Sequence, residues 1–185
     1  MSNRRRARAG LAAAAAVVAG LATVASALPA AADPPAPART IESAGNPIIA
    51  DGSYYSADAA PLVVDDTLYI YTGHDVADPQ QGTFVMHDYG VLATTDVEGG
   101  AWEHYPENLV PGDVFDWATG NAAYAGHAVE GTDGRFYWYV PVEWENRNVP
   151  NRMAIGVVVA DTPVGPWEDA IGEPLKALLL PLRML

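Results

Sequence analysis

Residues 128–140 read Ala-Val-Glu-Gly-Thr-Asp-Gly-Arg-Phe-Tyr-Trp-Tyr-Val, and this stretch decides how the chain folds. A short apolar run meets an Asp133-Gly134 turn, and an aromatic, β-branched run follows; that pattern predicts an antiparallel hairpin. The same plan occurs earlier at residues 61–71, Pro-Leu-Val-Val-Asp-Asp-Thr-Leu-Tyr-Ile-Tyr, where Asp65-Asp66 makes the turn. Each hairpin is followed by a third apolar run and then a tryptophan. Val91-Leu-Ala-Thr-Thr-Asp96 leads to Trp102, and Ile155-Gly-Val-Val-Val-Ala-Asp161 leads to Trp167. Tyr69 to Tyr137 is 68 residues and Trp102 to Trp167 is 65. This near-equality predicts an internal repeat of about 65 residues. Almost no segment carries a 3.6-residue period, so the chain reads as all-β.

A unit of three or four antiparallel strands, with a tyrosine-rich second strand and a tryptophan at the fourth, has the plan of a propeller blade. Blades bury their faces against neighbouring blades, and closure takes about four of them or more, hence at least ~260 residues at this repeat length. The chain has 185 residues. It is expected to hold about two blades and to be too short to close.

Outside the repeats the organisation is simple. Arg4, Arg5, Arg6 and Arg8 form a basic start, Ala9 to Leu28 an apolar small-residue stretch, and Ala30-Ala31-Ala32 a cleavage-type site. Residues 1–32 are therefore expected to be a signal peptide, cleaved near Ala32, which makes the protein secreted. The competing reading is a membrane anchor, since about 20 residues suffice to span a bilayer. Residues 33–45 are expected to be an extended Pro/Ala linker, 46–175 the partial propeller, and 176–185, with Lys-Ala-Leu-Leu-Leu-Pro-Leu-Arg-Met-Leu, an atypical Leu-rich tail.

The sequence carries 10 Lys and Arg against 23 Asp and Glu, and no cysteine. Four of the basic residues lie in the leader, which has no acid, so the balance beyond Ala32 is 6 basic against 23 acidic, or −17. Such a field repels nucleic acid and anionic membranes and fits a neutral partner such as a polysaccharide. The absence of cysteine excludes a disulfide framework, a thiolate metal site and a cysteine nucleophile. No cofactor is implied. Asp65-Asp66 and the Asp96–Glu98 cluster admit a calcium site by composition, but no calcium-loop spacing is present, and surface solubility is the competing reading.

From Ser56-Ala-Asp-Ala-Ala-Pro61 and Leu68-Tyr-Ile-Tyr-Thr-Gly-His-Asp75 onward, the sequence resembles glycoside hydrolase family 43. The likeness continues through Phe84-Val-Met-His-Asp-Tyr-Gly-Val-Leu-Ala-Thr-Thr-Asp96, Gly134-Arg-Phe-Tyr-Trp-Tyr-Val140 and Ile155 to Trp167. That family consists of five-bladed β-propeller enzymes acting on arabinose- and xylose-containing polysaccharides and oligosaccharides. The resemblance covers about Asn46 to Pro174, or two blades of five, and rests on the order and spacing of the motifs.

The resemblance implies that Asp58 is the general base of an inverting hydrolysis. Such a reaction sets one carboxylate to activate water and a second carboxyl about 6.5–9.5 Å away to protonate the leaving oxygen. Read from the residues alone, Asp58 is rather a turn or strand-start aspartate bonding its own backbone, and it is the resemblance that makes it the base. A second family carboxylate is expected near Tyr124-Ala-Gly-His-Ala128, where no aspartate stands; His127 or Gly126 occupies the approximate place and Asn121 lies upstream. The family's general acid belongs to a third blade, so no residue here inherits that role. His74, Asp75, Trp117 and His127 are the candidate substrate-binding residues, each with a structural alternative: satisfied turn groups for His74 and Asp75, a core filler for Trp117, and a hydrogen-bonded inner-strand histidine for His127. Trp102 and Trp167 are expected to be structural, and Glu143 and Glu145 to be solvated rim residues.

Overall fold

The computed structural model describes residues 38–177 except 79, 81 and 149. The leader, residues 33–37 of the linker and residues 178–185 of the Leu-rich tail lie outside the described residues.

The two repeats form two antiparallel sheets. The first contains β1 (Arg39–Glu42), β2 (Ser56–Val64), β3 (Thr67–Asp75), β4 (Met86–Thr94) and β5 (Ala101–Leu109) in the order β1-β5-β4-β3-β2. A single helical turn, α1 (Pro111–Val114), leads to the second sheet of β6 (Ala118–Ala123), β7 (His127–Glu130), β8 (Phe136–Trp144), β9 (Met153–Ala160), β10 (Glu168–Asp169) and β11 (Lys176–Ala177). Its order is β10-β9-β8-β6, with β7 also on β8 and β11 also on β9. Together the sheets form a partial β-propeller, as the repeat predicted.

Both expected hairpins form at the expected turns. Asp65 takes φ 51° between β2 and β3, a left-handed conformation that aspartate tolerates better than most residues. Between β7 and β8 the Asp133 carboxylate accepts the Arg135 amide at 3.2 Å and the Tyr137 hydroxyl at 2.8 Å.

The core lies in the seam between the sheets. Tyr71, Tyr89 and Val91 of the first meet Trp138, Val140, Val142 and Val158 of the second, all essentially without exposure. The Trp138 indole takes three rings around it, Tyr71 at 4.7 Å, Tyr89 at 5.1 Å and Trp167 at 5.5 Å between centroids. Edge-on and tilted rings of this kind add stabilisation beyond the area they bury. Both tyrosine hydroxyls bond across the seam, Tyr71 donating to the Pro163 carbonyl at 2.7 Å and Tyr89 to that of Pro141 at 3.1 Å, whereas the buried Trp138 Nε1 finds no partner among the described residues. Trp167 Nε1 donates to Asn108 Oδ1 at 2.9 Å, and Asn108 Nδ2 in turn to Val164 at 3.0 Å. Trp102 and Trp167 are both buried, as expected of repeat tryptophans.

Three boundaries differ from the sequence reading. β1 lies inside the stretch read as linker, with Ile41 opposite Trp102 and Arg39 opposite His104, so the paired chain begins by Arg39. Lys176-Ala177, read as the start of an atypical tail, pairs as strand with Ile155 and Ala154. The innermost strand of the second sheet is broken into β6 and β7 at Tyr124–Gly126. A Cβ on Gly126 would lie 2.8 Å from Trp138 Nε1 and 3.0 Å from the Tyr139 carbonyl, so the break is shaped by the buried indole beneath it.

Candidate active site

Asp58 sits in a bulge of β2. Ala57 pairs with Gly73 and Ala60 with Tyr71, so Asp58 and Ala59 face a single residue of β3. Asp58 takes φ 53° there, its carboxylate is exposed, and no described residue donates a hydrogen bond to it. Bulges re-aim side chains and recur beside active sites, and non-glycine residues in the left-handed region concentrate where function demands a direction. The carboxylate stands near the seam, where its charge adds to burial in raising the Tyr89 phenol well above its ordinary pKa.

Around it, Gly73 lets the sheets approach closely: a Cβ there would meet Met86 Sδ at 3.0 Å and the Ala123 carbonyl of β6 at 3.6 Å. The same end of the sheets carries an aromatic pair that sequence reasoning missed. Phe84, in the β3–β4 loop and 58% exposed, stands edge-on to Tyr124 in the break of the second sheet, with centroids 5.6 Å apart. The signal was present, since a phenylalanine in a polar loop is an unusual surface choice.

The other candidates fall elsewhere. His74 is half-buried under Tyr54, the rings stacked at 4.0 Å and 10°, with its Nδ1 3.0 and 3.1 Å from the two Asp88 oxygens. Burial raises the Asp88 carboxyl above the usual range, and His74 beside it partly offsets that rise. Asp75 accepts the amides of Ala77 and Val85, both at 2.9 Å; these bonds lower its pKa and make it the tie of the β3–β4 loop. His127 is exposed and lies opposite Tyr139, on the face of the second sheet turned away from the first. Trp117 was expected to line a pocket and does not present a free ring. It packs on Phe115 at 4.7 Å and donates Nε1 to Asp169 at 3.1 Å.

Glu143, expected to be a solvated rim residue, is held. Thr119 Oγ1 donates to it at 2.5 Å and Arg152 pairs with it at 2.9 Å. The Thr119 bond first, then Asn121 and the Arg152 charge, lower its pKa, so it stays ionised and cannot deliver a proton near neutrality. Asp96 likewise accepts the Glu98 and Gly99 amides at 3.1 and 2.8 Å, which makes it a turn residue. Among the described residues no group of three or more His, Asp or Glu gathers as metal ligands. No helix among them is long and apolar enough to cross a membrane.

A separate cleft of about 430 Å³ lies on the far face of the first sheet, lined by Ile48, Leu68, Ile70, Val97 and Trp102 with Ser43–Asn46, and shares no residue with the Asp58 end.

Two sheets of this plan, with a bulged aspartate at the head of the innermost strand, form a partial β-propeller similar to part of the propellers of family-43 glycoside hydrolases. No family model matches the chain. A xylosidase/arabinosidase of Bacteroides ovatus is 36% identical over 118 residues, which are 61% of this chain and 34% of that protein. A family-43 β-xylosidase/α-arabinofuranosidase from a compost microbial metagenome, crystallised with xylotriose, superposes with a TM-score of 0.58 at 29% identity, covering 75% of this chain and 40% of its own. A GH43_1 enzyme of Xanthomonas citri, complexed with xylose, gives 0.57 at 29% identity over 72% and 36% of the two chains. The chain thus spans about a third to two-fifths of the length of these relatives.

Proposed function

We propose that the chain carries the base-bearing part of a glycoside hydrolase acting on xylose- or arabinose-containing oligosaccharides, with Asp58 taking the proton of the attacking water in a single-displacement, inverting reaction. The observation that carries this reading is the Asp58 bulge: an exposed, unbonded carboxylate held in a left-handed conformation at the seam of the sheets. Asp75 and Asp96, by contrast, spend their carboxylates on neighbouring amides. The relatives named above are xylosidases and arabinosidases, and one was crystallised with xylotriose, which supports a pentose substrate.

Inversion needs a proton donor across the sugar from the base. Glu143 is held ionised, and Asp88 is buried in its pair with His74, so neither is assigned as donor. Positioned proton transfer is worth about 10² to 10⁴ in rate, and the chain acting alone should fall short by that factor. The leader fits export to the compartment where a neutral polysaccharide is met.

The test is hydrolysis of nitrophenyl β-xyloside and α-arabinofuranoside by the purified chain, with the first-formed sugar anomer read by proton NMR. Slow release of the inverted anomer, lost in Asp58→Asn, is the expected result. Hydrolysis unchanged by that substitution, or release of the retained anomer, would overturn the assignment. Titration with xylotriose followed by amide shifts tests binding independently, with the Asp58–Ala60 signals expected to move.

A further inference from the structure

Tyr54, His74, Asp88 and His104 form a polar cluster on the face of the first sheet turned away from the second, and the reaction described above does not use it. Tyr54 is 7% exposed, lies flat on the His74 ring at 4.0 Å, and meets His104 edge-on at 4.6 Å. Its hydroxyl covers Gly90 so closely that a Cβ there would collide with it. Beneath the stack, the bond from His74 Nδ1 to Asp88 ties β3 to β4. His104 belongs to β5, so one tyrosine ring reaches groups of three strands.

The position of this cluster along the chain matters more than its polarity. Tyr54 is four residues before Asp58, and the backbone between them is tied to the strand that carries His74. The Asp75 amide donates to the Tyr55 carbonyl at 2.9 Å, Ser56 pairs with His74, and Ala57 pairs with Gly73. Past Ala57 the register breaks and Asp58 enters the left-handed region. The bulge itself has no side-chain bond to hold it, so its geometry is set by what fixes the chain on either side. Downstream that is the β2–β3 ladder from Ala60 onward; upstream it is the pairing of Tyr55–Ala57 with the end of β3, on which the Tyr54 stack sits.

We propose that His74, oriented by Asp88, is a positioning residue for Asp58: it seats Tyr54 and thereby fixes the approach of β2 to the bulge that aims the candidate base. The proposal rests on the reading of Asp58 as the base, but its structural content is separable from it. His74 does not touch substrate in this scheme, which differs from the substrate-binding role that the sequence assigned to it.

The experiment is amide hydrogen exchange by NMR on the whole chain, comparing Asp88→Ala, Asp88→Asn and Tyr54→Leu with wild type. Asp88→Ala removes the acceptor that orients His74, whereas Asp88→Asn keeps an oxygen that can accept from Nδ1. Exchange at Ala57–Ala60 is expected to rise about tenfold in Asp88→Ala and in Tyr54→Leu, the scale of one lost buried hydrogen bond, and to return toward wild type in Asp88→Asn. Amides of Val91, Trp138 and Val158 in the seam should keep their protection. Unchanged exchange at residues 57–60 would overturn the proposal, as would a rise shared equally by the seam, which would make the cluster merely structural. Should Asp88→Ala not fold, the Tyr54→Leu result decides alone. The Asp58→Asn hydrolysis test fails or succeeds independently of these readouts, so the loss of one idea is distinguishable from the loss of the other.

Discussion

Substitution at Asp58 separates a residue kept for chemistry from one kept for the fold. Asp58 has φ 53°, and no described residue donates a hydrogen bond to its exposed carboxylate. The left-handed conformation costs an L-residue roughly 1–2 kcal/mol, less for aspartate and asparagine. Glycine avoids that strain but carries about 0.5–1 kcal/mol more chain entropy to lose than alanine. Asp58→Gly should therefore be as stable as wild type or slightly better, Asp58→Asn should match wild type, and Asp58→Ala should lose about 1 kcal/mol. For a chain of this size 1 kcal/mol corresponds to roughly 2–4 °C in Tm. Thermal unfolding followed by circular dichroism on the whole chain reads that order, and all three variants should lose hydrolysis of nitrophenyl pentosides together. If asparagine, glycine and alanine lower Tm alike, the carboxylate holds the fold and the argument from strain is wrong. If alanine melts above glycine, the left-handed geometry of the bulge is wrong.

The seam and the second sheet give sharper stability tests. A Cβ on Gly156 would lie 2.5 Å from the ring of Phe115, which is 1% exposed and has nowhere to move; Gly156→Ala should lose about 1–3 kcal/mol and regain part of it in combination with Phe115→Leu, a coupling read from Tm values of the double-mutant cycle. Tyr71 and Tyr139 are equivalent under the 68-residue offset, yet Tyr71 is 1% exposed and Tyr139 39%, so Tyr71→Ser should lose about 3 kcal/mol or more in denaturant unfolding and Tyr139→Ser under about 0.5. The Glu143 pKa is depressed in the folded chain by the Thr119 bond and by Arg152. Its contribution is thus present above the ordinary glutamate range and lost as pH falls through the lower folded value. Glu143→Gln should accordingly narrow the Tm difference between neutral and acid pH, and an unchanged difference would remove Glu143 from the acid response.

The hairpins, the repeat and the two buried repeat tryptophans were legible because their signals are local: a turn residue between alternating runs, repeated at fixed spacing. Features set by distant partners were not. β1 follows a proline-rich stretch and finds its ladder at Ala101–His104, about sixty residues on, so nothing near Arg39 announces a strand. Trp117 sits in a loop that reads as a pocket wall, but its partner Asp169 is 52 residues away. His74 looked like a group free to meet a sugar because Asp88, Tyr54 and His104 come from three other segments. Glu143 looked solvated because Thr119 and Arg152 reach it from a separate strand and the turn before β9. Asp58 was legible as a residue of interest, but the bulge that distinguishes it from an ordinary strand-start aspartate depends on the pairing of β2 with β3.

The same offset explains why two repeats with nearly the same plan carry different residues on their two faces. Along β3, Tyr69 and Tyr71 point into the seam, whereas Leu68 and Ile70 point to the far side and line the cleft there. Along β8 the faces are exchanged: Phe136, Trp138 and Val140 fill the seam, whereas Tyr137 and Tyr139 point away from it. Shifted by 68 residues, Tyr69 and Tyr71 become Tyr137 and Tyr139, and Leu68 and Ile70 become Phe136 and Trp138. Each repeat thus has one tyrosine-bearing face and one wholly apolar face, and the seam joins the tyrosine face of the first to the apolar face of the second. A head-to-tail contact of this kind is heterologous, so it leaves the apolar face of the first sheet and the tyrosine face of the second outside the seam. Exposed Tyr139 and the cleft at Leu68, Ile70 and Trp102 are therefore the two faces of one repeating contact, and the chemistry that makes the seam stable also accounts for the apolar surface outside it.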